Sequence, residues 1–232
     1  MRKIAVITAR GGSKRIPGKN ILPFLGKPIL AYSIEAAIKS GEFDEVMVST
    51  DDARIASIAK EYGAKVPFLR SEKTSGDFAG TADVLLEVLC EYEKLGQSFD
   101  ILCCIYPTAP FVTEMKLSDA VNKLVASDAD TLLPVVKFSY PPQRALVNKG
   151  GFLIFNEPEH INSRSQDLEP YFHDAGQFYI MKTEAFKKNR EIMKGKIIPY
   201  ELPEMEVQDI DNMSDWQIAE IKYQAMSEHG KE

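Results

Sequence analysis

Short apolar runs alternate with helical patterns through the first half of this chain, and this alternation limits the fold more than any other feature. Residues 4–9 form a continuous apolar run, which is typical of a strand covered on both faces, and further strands are predicted at residues 45–50 and 100–106. Helical spacing of apolar side chains occupies residues 28–41, 51–63 and 81–96. A helix cap is expected at Thr81 and a short strand at residues 66–69. The alternation predicts an α/β fold with a mostly parallel sheet and right-handed crossovers.

The composition of the sequence changes from Ser139. Residues 139–175 are rich in turn formers and polar side chains, with strand-like pieces between them. The chain then returns to strand patterns and ends on a predicted helix over residues 214–226. A length of 232 residues suits one domain. We therefore predict a single domain over residues 1–232 with an inserted arm at about 139–175.

Charge and hydropathy argue against several classes of function. The chain has 28 basic and 34 acidic residues and a net charge of −6, which argues against a general nucleic-acid or membrane-surface role. No apolar run approaches the ~18 residues of a membrane span, and the amino terminus runs into a strand pattern without a signal-peptide layout. Cys103 and Cys104 lie inside an apolar run, which is typical of buried reduced thiols. These features predict a cytoplasmic location.

The loop after the first strand reads "ARGGSKRIPGKN", residues 9–20, and it concentrates positive charge in an acidic chain. Ligands of open α/β sheets bind outside the carboxyl ends of strands. Gly11 and Gly12 are expected to allow close backbone approach and positive φ, so that backbone N–H groups point at an anion. Full charges and side-chain donors are added by Arg10, Ser13, Lys14, Arg15, Lys19 and Asn20. The loop suits a polyphosphate, although its spacing is neither that of a Walker A loop nor the dinucleotide fingerprint. A solvated basic loop is the alternative.

A second charged segment, "DIDNMSD", lies near the carboxyl end. Asp209 and Asp211 are two residues apart, so an extended chain places both on one side and turns Ile210 towards the core. Carboxylate oxygens are ligands that Mg²⁺ prefers. Asp215 is expected at the start of the last helix, where negative charge suits the helix dipole. A surface acidic turn remains the alternative for the Asp209 and Asp211 pair.

Several stretches carry a resemblance to a known family. "ARGGSKRIPGKN", "FDEVMVSTDD", "LRSEKTSGDFAGTADVL", "RSQDLEPYFHDAGQFYI" and "VQDIDNMSD" resemble, in order, motifs of the acylneuraminate cytidylyltransferases. The resemblance covers nearly the whole chain. It implies a Rossmann-like nucleotidyltransferase core of the GT-A-like type and a CTP-dependent enzyme that makes CMP-activated nonulosonic acids. The implied substrates are CTP and a nine-carbon keto-sugar acid, with pseudaminic acid ahead of sialic or legionaminic acid. A homodimer is also implied.

The same resemblance implies roles for individual residues. Nucleotide contacts are implied for Ala9, Arg10, Gly11, Gly12, Ser13, Lys14, Lys19, Asn20, Arg70, Asp77 and Thr81. Sugar contacts are implied for Tyr106, Arg144, Arg164, Gln166, His173 and Tyr179. The resemblance assigns Mg²⁺ or Mn²⁺ to Asp209 and Asp211, and the residues expected to be catalytic are Arg10, Lys19 and Asp211.

Four alternatives and three departures from the family pattern stay open. Arg70 could form a surface ion pair, and a lone histidine such as His173 is often structural or exposed. The chemistry could also belong to a ketodeoxyoctonate cytidylyltransferase or, in another class, the fold to a non-catalytic nucleotide-binding protein. Tyr106 and Val112 replace a glutamine and an arginine of the sialate enzymes, and "FHDAGQFY" replaces their "NGAIY" style of segment. All three departures lie on the sugar side, so the identity of the sugar is less determined than the nucleotide chemistry.

Overall fold

A computed structural model describes residues 1–76 and 79–229. In this part of the chain the strands are β1 Lys3–Thr8, β2 Pro23–Phe24, β3 Lys27–Pro28, β4 Glu45–Ser49, β5 Ile101–Ile105, β6 Thr131–Lys137, β7 Leu146–Lys149, β8 Phe152–Phe155, β9 Phe172–Asp174, β10 Phe178–Lys182 and β11 Ile197–Glu201. The helices are α1 Ile29–Lys39, α2 Ala53–Glu61, α3 Glu72–Ser75, α4 Thr81–Lys94, α5 Glu114–Val125, α6 Thr183–Asn189 and α7 Met213–His229. None of the described helices is both long and apolar enough to cross a membrane.

The main sheet has the strand order β11-β6-β10-β5-β1-β4, and β9 pairs with β6. Strand β1 is parallel to both β4 and β5, and β11 is parallel to β6. Strand β10 is antiparallel to β5 and to β6, so β4, β1, β5, β6 and β11 all run in one direction. The prediction of a mostly parallel α/β sheet is therefore confirmed. The carboxyl ends of β4, β1 and β5 lie side by side at one edge.

Both faces of the sheet are buried, which explains the continuous apolar runs. Along β1, Ile7 packs in a cluster with side chains of α1, α2 and α5. The alternate residues Ile4 and Val6 pack on the opposite face with side chains of α4 and α6. All three residues are completely buried. Because successive strand side chains point to opposite faces, a strand covered on both sides needs apolar residues at every position.

Two local expectations were wrong. Residues 66–69 do not form a strand; the nearest pairing is a single bridge between Met47 and Lys65. Pro67 has no N–H to donate to a sheet ladder, which weakens strand formation there. Thr81 is the first residue of α4 and not its cap: Gly80 occupies the cap position and no side-chain hydrogen bond is made there.

The segment from residue 139 onward departs from the sheet. Strands β7 and β8 form a separate antiparallel hairpin, with Leu146 opposite Phe155 and Lys149 opposite Phe152. The chain returns to the main sheet at β9, whose His173 pairs with Val136 of β6. The hairpin leaves large apolar side chains in solvent, with Phe152 76% and Leu153 67% exposed.

Candidate active site

A cavity of about 670 Å³ opens at the sheet edge where β4, β1 and β5 end. Its walls come from the loop after β1, the residues that follow β5, the start of α4 and the segment before α7. The residues that line it include Thr8, Arg10, Ser13, Lys14, Arg15, Lys19, Asn20, Arg70, Thr74, Thr81, Tyr106, Thr108 and Asp209. Residues distant in sequence thus converge where the α/β topology places ligand sites.

The basic loop is held by hydrogen bonds to its own backbone and to the residues after β4. Asn20, which is 6% exposed, donates from Nδ2 to the Arg10 carbonyl oxygen at 2.9 Å. The Gly11 N–H donates to Asp51 Oδ1 at 2.8 Å. The neighbouring Asp52 caps α2 by accepting from Arg54 and Ile55 N–H groups, as expected for a cap residue. These contacts fix the loop while Arg10 and Lys14 line the cavity.

The backbone conformation of the loop glycines differs from the one expected from the sequence. Neither Gly11 nor Gly12 has positive φ; Gly18 does, at 67°. Gly11 is needed for close approach, because a Cβ there would lie 2.9 Å from the Asp52 Cβ, whereas a Cβ on Gly12 would meet nothing within 4 Å. The Gly11 N–H is taken by Asp51, and the Ser13 N–H donates to the Gly11 oxygen. The N–H groups of Gly11 and Ser13 are therefore already bonded within the protein, while the side chains of Arg10, Ser13 and Lys14 line the cavity.

The acidic segment lies directly against the basic loop. Ile210 is completely buried and shares an apolar cluster with Ile16 of the loop. Lys19 Nζ donates to the Ile210 carbonyl oxygen at 2.5 Å, between the two aspartates. Burial lowers the pKa of Lys19. The negative charges of Asp211 and Asp209 raise it, but the effect of burial is larger. Desolvation and then the Asp211 charge raise the pKa of Asp209.

The three aspartates of this segment make different contacts. Asp209 lines the cavity. Asp211 Oδ2 lies 2.6 Å from Arg15 Nη1 of the basic loop. Asp215 Oδ2 accepts the N–H groups of Asp211 and Asn212, and Asn212 Oδ1 accepts the N–H groups of Ser214 and Asp215. This reciprocal arrangement is a capping box at the start of α7. Asp215 is thus occupied in helix capping, as expected from its position.

Arg70 forms the floor of the cavity and not a surface ion pair. Its side chain is buried, and it donates from Nε to Ser49 Oγ at 3.1 Å and from Nη2 to the Ser49 oxygen at 2.6 Å. Burial lowers the pKa of its guanidinium. Ala9 lies beside it, with its N–H donating to the same Ser49 oxygen at 3.0 Å. Asp77 lies outside the described residues.

The expected sugar contacts separate into two groups. Tyr106 lines the main cavity, and His173 lines a second cavity of about 370 Å³ that shares Asp209 with the first. The other expected contacts on the arm, namely Arg144, Arg164 and Gln166, are exposed, and none of them lines either of these cavities.

Tyr179 lies behind the cavity and not in its wall, which corrects the expectation of a direct sugar contact. Its side chain is 1% exposed, and its hydroxyl donates to Asp174 Oδ2 at 2.6 Å. Asp174 was not expected from the sequence. The only local signal was the glycine two residues later, since Gly176 donates its N–H to Asp174 Oδ1 at 2.9 Å, a pattern typical of an Asx turn.

Comparison with known proteins agrees with this geometry. A sequence model of the family described as Cytidylyltransferase matches residues 4–222. The chain is 40% identical to a pseudaminic acid cytidylyltransferase of Campylobacter jejuni, over 98% of this chain and 99% of that protein. It is 33% identical to a CMP-N,N'-diacetyllegionaminic acid synthase of Legionella pneumophila, over 95% of each.

Solved structures extend the likeness to the fold. A CMP:2-keto-3-deoxy-manno-octonic acid synthetase complexed with CTP aligns with a TM-score of 0.71 at 18% identity, over 98% of this chain and 100% of that one. A 4-diphosphocytidyl-2C-methyl-D-erythritol synthase from Anaerococcus prevotii aligns with a TM-score of 0.65 at 14% identity, over 96% and 98% of the two chains. The fold is therefore that of the nucleotidyltransferases, and the match over residues 4–222 establishes that the chain is an enzyme of the cytidylyltransferase family.

Proposed function

We propose that this enzyme transfers CMP from CTP to a nonulosonic acid, pseudaminic acid first among them, with release of pyrophosphate. The observation that carries the proposal is the contact between Lys19 and Ile210, which brings the cationic loop and the acidic segment to one cavity. A nucleoside triphosphate needs cations along its phosphates. The identity of 40% to pseudaminic acid cytidylyltransferases supports the choice of sugar.

The acidic segment fits a divalent cation. The carboxylates of Asp209 and Asp211 lie close enough for Asp211 to raise the pKa of Asp209, and a cation relieves such repulsion. Both offer the oxygen ligands that Mg²⁺ and Mn²⁺ accept. Asp215 is engaged in the capping box, so Asp209 and Asp211 are the ligands that we assign. When bound there, the ion would neutralise phosphate charge and act as a Lewis acid.

The side chains of the chain supply placement and charge. Arg10, Ser13 and Lys19 bind the triphosphate, with the arginine fork giving directional contacts and the lysine a compact charge. The anomeric hydroxyl of the sugar attacks the α-phosphorus and gives up its proton to solvent. An oxygen–phosphorus bond forms, and the bond to the bridging oxygen breaks as pyrophosphate leaves. Charge that grows on the leaving oxygens is stabilised by the cationic loop. Holding both reactants in line lowers the entropic part of the barrier.

The sugar acid is assigned to the side of Tyr106 and the second cavity, where His173 and Asp209 lie. A cationic side chain is expected to bind the carboxylate of the sugar acid. Arg144 and Arg164 are exposed on the arm, and we infer that they reach the site of a second copy in a homodimer. The exposed apolar hairpin supports this, because a contiguous apolar surface typically marks an interface.

An activity assay tests the reaction. The enzyme, Mg²⁺ and CTP are incubated with pseudaminic, legionaminic, N-acetylneuraminic and 2-keto-3-deoxy-manno-octonic acids, and pyrophosphate is measured. Fastest release with pseudaminic acid is expected. Release with 2-keto-3-deoxy-manno-octonic acid alone would assign a different sugar, and release with none of the four would contradict the proposed substrates.

Sedimentation measurements test whether the hairpin of the arm forms a dimer interface. We expect a dimer that Phe152→Glu converts to monomers, because Phe152 is 76% exposed on the hairpin. Met115→Glu is the matched control: Met115 is 78% exposed on α5, outside the arm, and the variant should stay dimeric. Dissociation by both substitutions, or by neither, would contradict the proposed role of the hairpin.

A further inference from the structure

The backbone just before the acidic segment, residues 204–207, is held by side chains from other elements. Lys222 of α7 donates from Nζ to two of its carbonyl oxygens, at 3.1 and 2.8 Å. Gln177, which precedes β10 and is 1% exposed, donates from Nε2 to a third, that of Glu206, at 2.7 Å. The segment is therefore bonded both to the last helix and to the main sheet.

An ion pair adds a contact with α5. Lys116 Nζ lies 2.6 Å from Glu206 Oε2 and donates to the Phe111 carbonyl oxygen at 2.8 Å. The two charged side chains are 12% and 29% exposed, so water screens this pair less than it screens a pair on the open surface. Phe111 is completely buried in the apolar cluster that contains Ile210. Lys116 therefore connects Glu206 to the core beneath the acidic segment.

Asp209 lies on a short span between two fixed points. Ile210, next to it, is completely buried, and Val207, two residues before it, is 9% exposed in another apolar cluster. Glu206 directly precedes Val207. Since consecutive Cα atoms are about 3.8 Å apart, so short a span cannot absorb a shift of Glu206 without moving Asp209. Mg²⁺ accepts only a narrow range of ligand positions, so such a shift would cost affinity.

We propose that Lys116 and Glu206 are a positioning pair that holds the Asp209 carboxylate in place for a divalent cation. The inference rests on the proposed function, which assigns the ion to Asp209 and Asp211. Neither member of the pair lines the main cavity or the second one, so the pair acts through the backbone and not by contact with a ligand. Gln177 supports the same backbone from the sheet.

Substitutions that remove opposite charges separate positioning from electrostatics. Lys116→Met removes a positive charge, and Glu206→Met removes a negative one. If charge acted only at a distance, the first would tighten Mn²⁺ binding and the second would weaken it. Positioning predicts that both weaken it, on the order of tenfold, as when a group that orients a metal ligand is lost. The double variant should lose little more than either single one, because the same contact is broken only once.

Calorimetry measures the Mn²⁺ affinity of the CTP complex, with CTP alone as the blank. The Mn²⁺ concentration that gives half-maximal pyrophosphate release should rise as the affinity falls. Gln177→Met is a test without a change of charge, since it removes the bond to the Glu206 oxygen, and it should also weaken Mn²⁺ binding. The matched control is Lys123→Met. Lys123 is exposed on α5 and donates to the Pro199 oxygen at 2.9 Å, so this variant loses the same charge and a similar bond, and it should bind Mn²⁺ as wild type does.

Tighter or unchanged Mn²⁺ binding in folded Lys116→Met would overturn the inference. If that variant does not fold, wild-type affinity in Gln177→Met would overturn it instead. Equal weakening in Lys123→Met would do so too, because the effect would then not depend on Glu206. In each of these cases CTP turnover by the wild type would leave the proposed function standing. A wild-type protein that binds no CTP would remove the proposed function, and the inference with it.

Discussion

Lys19 Nζ donates to the carbonyl oxygen of Ile210 at 2.5 Å, across 191 residues of sequence. The contact joins the loop after the first strand to the acidic segment before the last helix. Ile16 and Ile210 share one apolar cluster beneath it, so the two charged segments are held together by buried side chains. The charges alone do not account for the arrangement, because exposed ion pairs contribute little to stability.

Replacing Lys19 should affect the rate more than the fold. Lys19→Met keeps the stem of the side chain and removes the charge, so kcat should fall on the order of 10²–10³-fold, as when a group that stabilises transition-state charge is lost. Pyrophosphate release at saturating CTP measures this, with the melting temperature as a check on folding. Lys60→Met, on the exposed side of α2, should retain full activity. Unchanged kcat in Lys19→Met would contradict the assignment.

The aspartates of the acidic segment should separate catalysis from stability. Asp211→Asn should nearly abolish turnover and weaken Mn²⁺ binding in the presence of CTP, measured by calorimetry, without lowering the melting temperature. Asp215→Ala removes the carboxylate of the capping box and should cost about 1 kcal/mol of unfolding free energy, measured in urea, while the folded protein stays active. The opposite pattern, with the metal lost in Asp215→Ala and kept in Asp211→Asn, would contradict the site.

The two glycines of the basic loop form a matched pair. Gly11→Ala places a Cβ 2.9 Å from that of Asp52, whereas Gly12→Ala meets nothing within 4 Å. The first should displace the loop from α2 and weaken CTP binding, and the second should leave the melting temperature unchanged. Calorimetry with CTP and thermal unfolding measure the two effects. Equal destabilisation by both would show that the contact with Asp52 does not restrict the loop.

The cysteines should differ sharply in reactivity. Cys90 is exposed, and Cys103 and Cys104 are completely buried in β5. Burial raises the pKa of the Cys104 thiol to about 12, so little thiolate forms at neutral pH. A thiol reagent should label one cysteine rapidly in the native protein and the other two only after unfolding, as counted by mass spectrometry. Rapid labelling of all three would contradict the buried placement of β5.

Glu87 should make the free energy of unfolding depend on pH, through its contacts with the segment beside the cavity. It accepts from the Ser71 N–H at 2.8 Å and from the Ser71 and Thr74 hydroxyls. Burial opposes ionisation, but the bonds from Thr74 and Ser71 outweigh it and lower the pKa of Glu87 from its ordinary value of 4.5. A lowered pKa gives stability that is present above the unfolded value and lost as pH falls.

Wild type should therefore exceed Glu87→Gln in urea resistance at neutral pH, and the difference should shrink as the pH falls below 4.5. Glu72→Gln, an exposed neighbour on α3, is the control and should differ little from wild type at either pH. A difference between wild type and Glu87→Gln that stays constant with pH would exclude the carboxylate as its source.

Much of the fold could be predicted because its signals are local. A strand buried on both faces must be apolar along its buried part, as β1 is from Ile4 to Ile7 and β5 is throughout. A helix between such strands must carry an apolar face. The exception at residues 66–69 is instructive, since an apolar run beside Pro67 has the composition of a strand without its hydrogen bonds. The cap of α2 is also local, since Asp52 accepts the N–H groups of residues two and three positions later.

The site was less predictable where its contacts join distant elements. The reason for Gly11 lies in Asp52, and Asp174 is recognised only by its contact with the hydroxyl of the buried Tyr179. Tyr179 has the residue type of a ligand contact, yet it is buried behind the wall. A sequence pattern specifies which groups are present, but it does not specify whether a hydroxyl reaches the cavity.

The sequence by itself determined the α/β class, the family and the two charged segments, because each depends on spacing within a short stretch. The tertiary structure alone decided that these segments meet, which amides of the loop are already bonded, and which tyrosine lines the cavity. Those outcomes depend on the packing of side chains such as Ile16 and Ile210, far apart in the chain, into one apolar cluster. That packing is a property of the whole fold, and no local pattern encodes it.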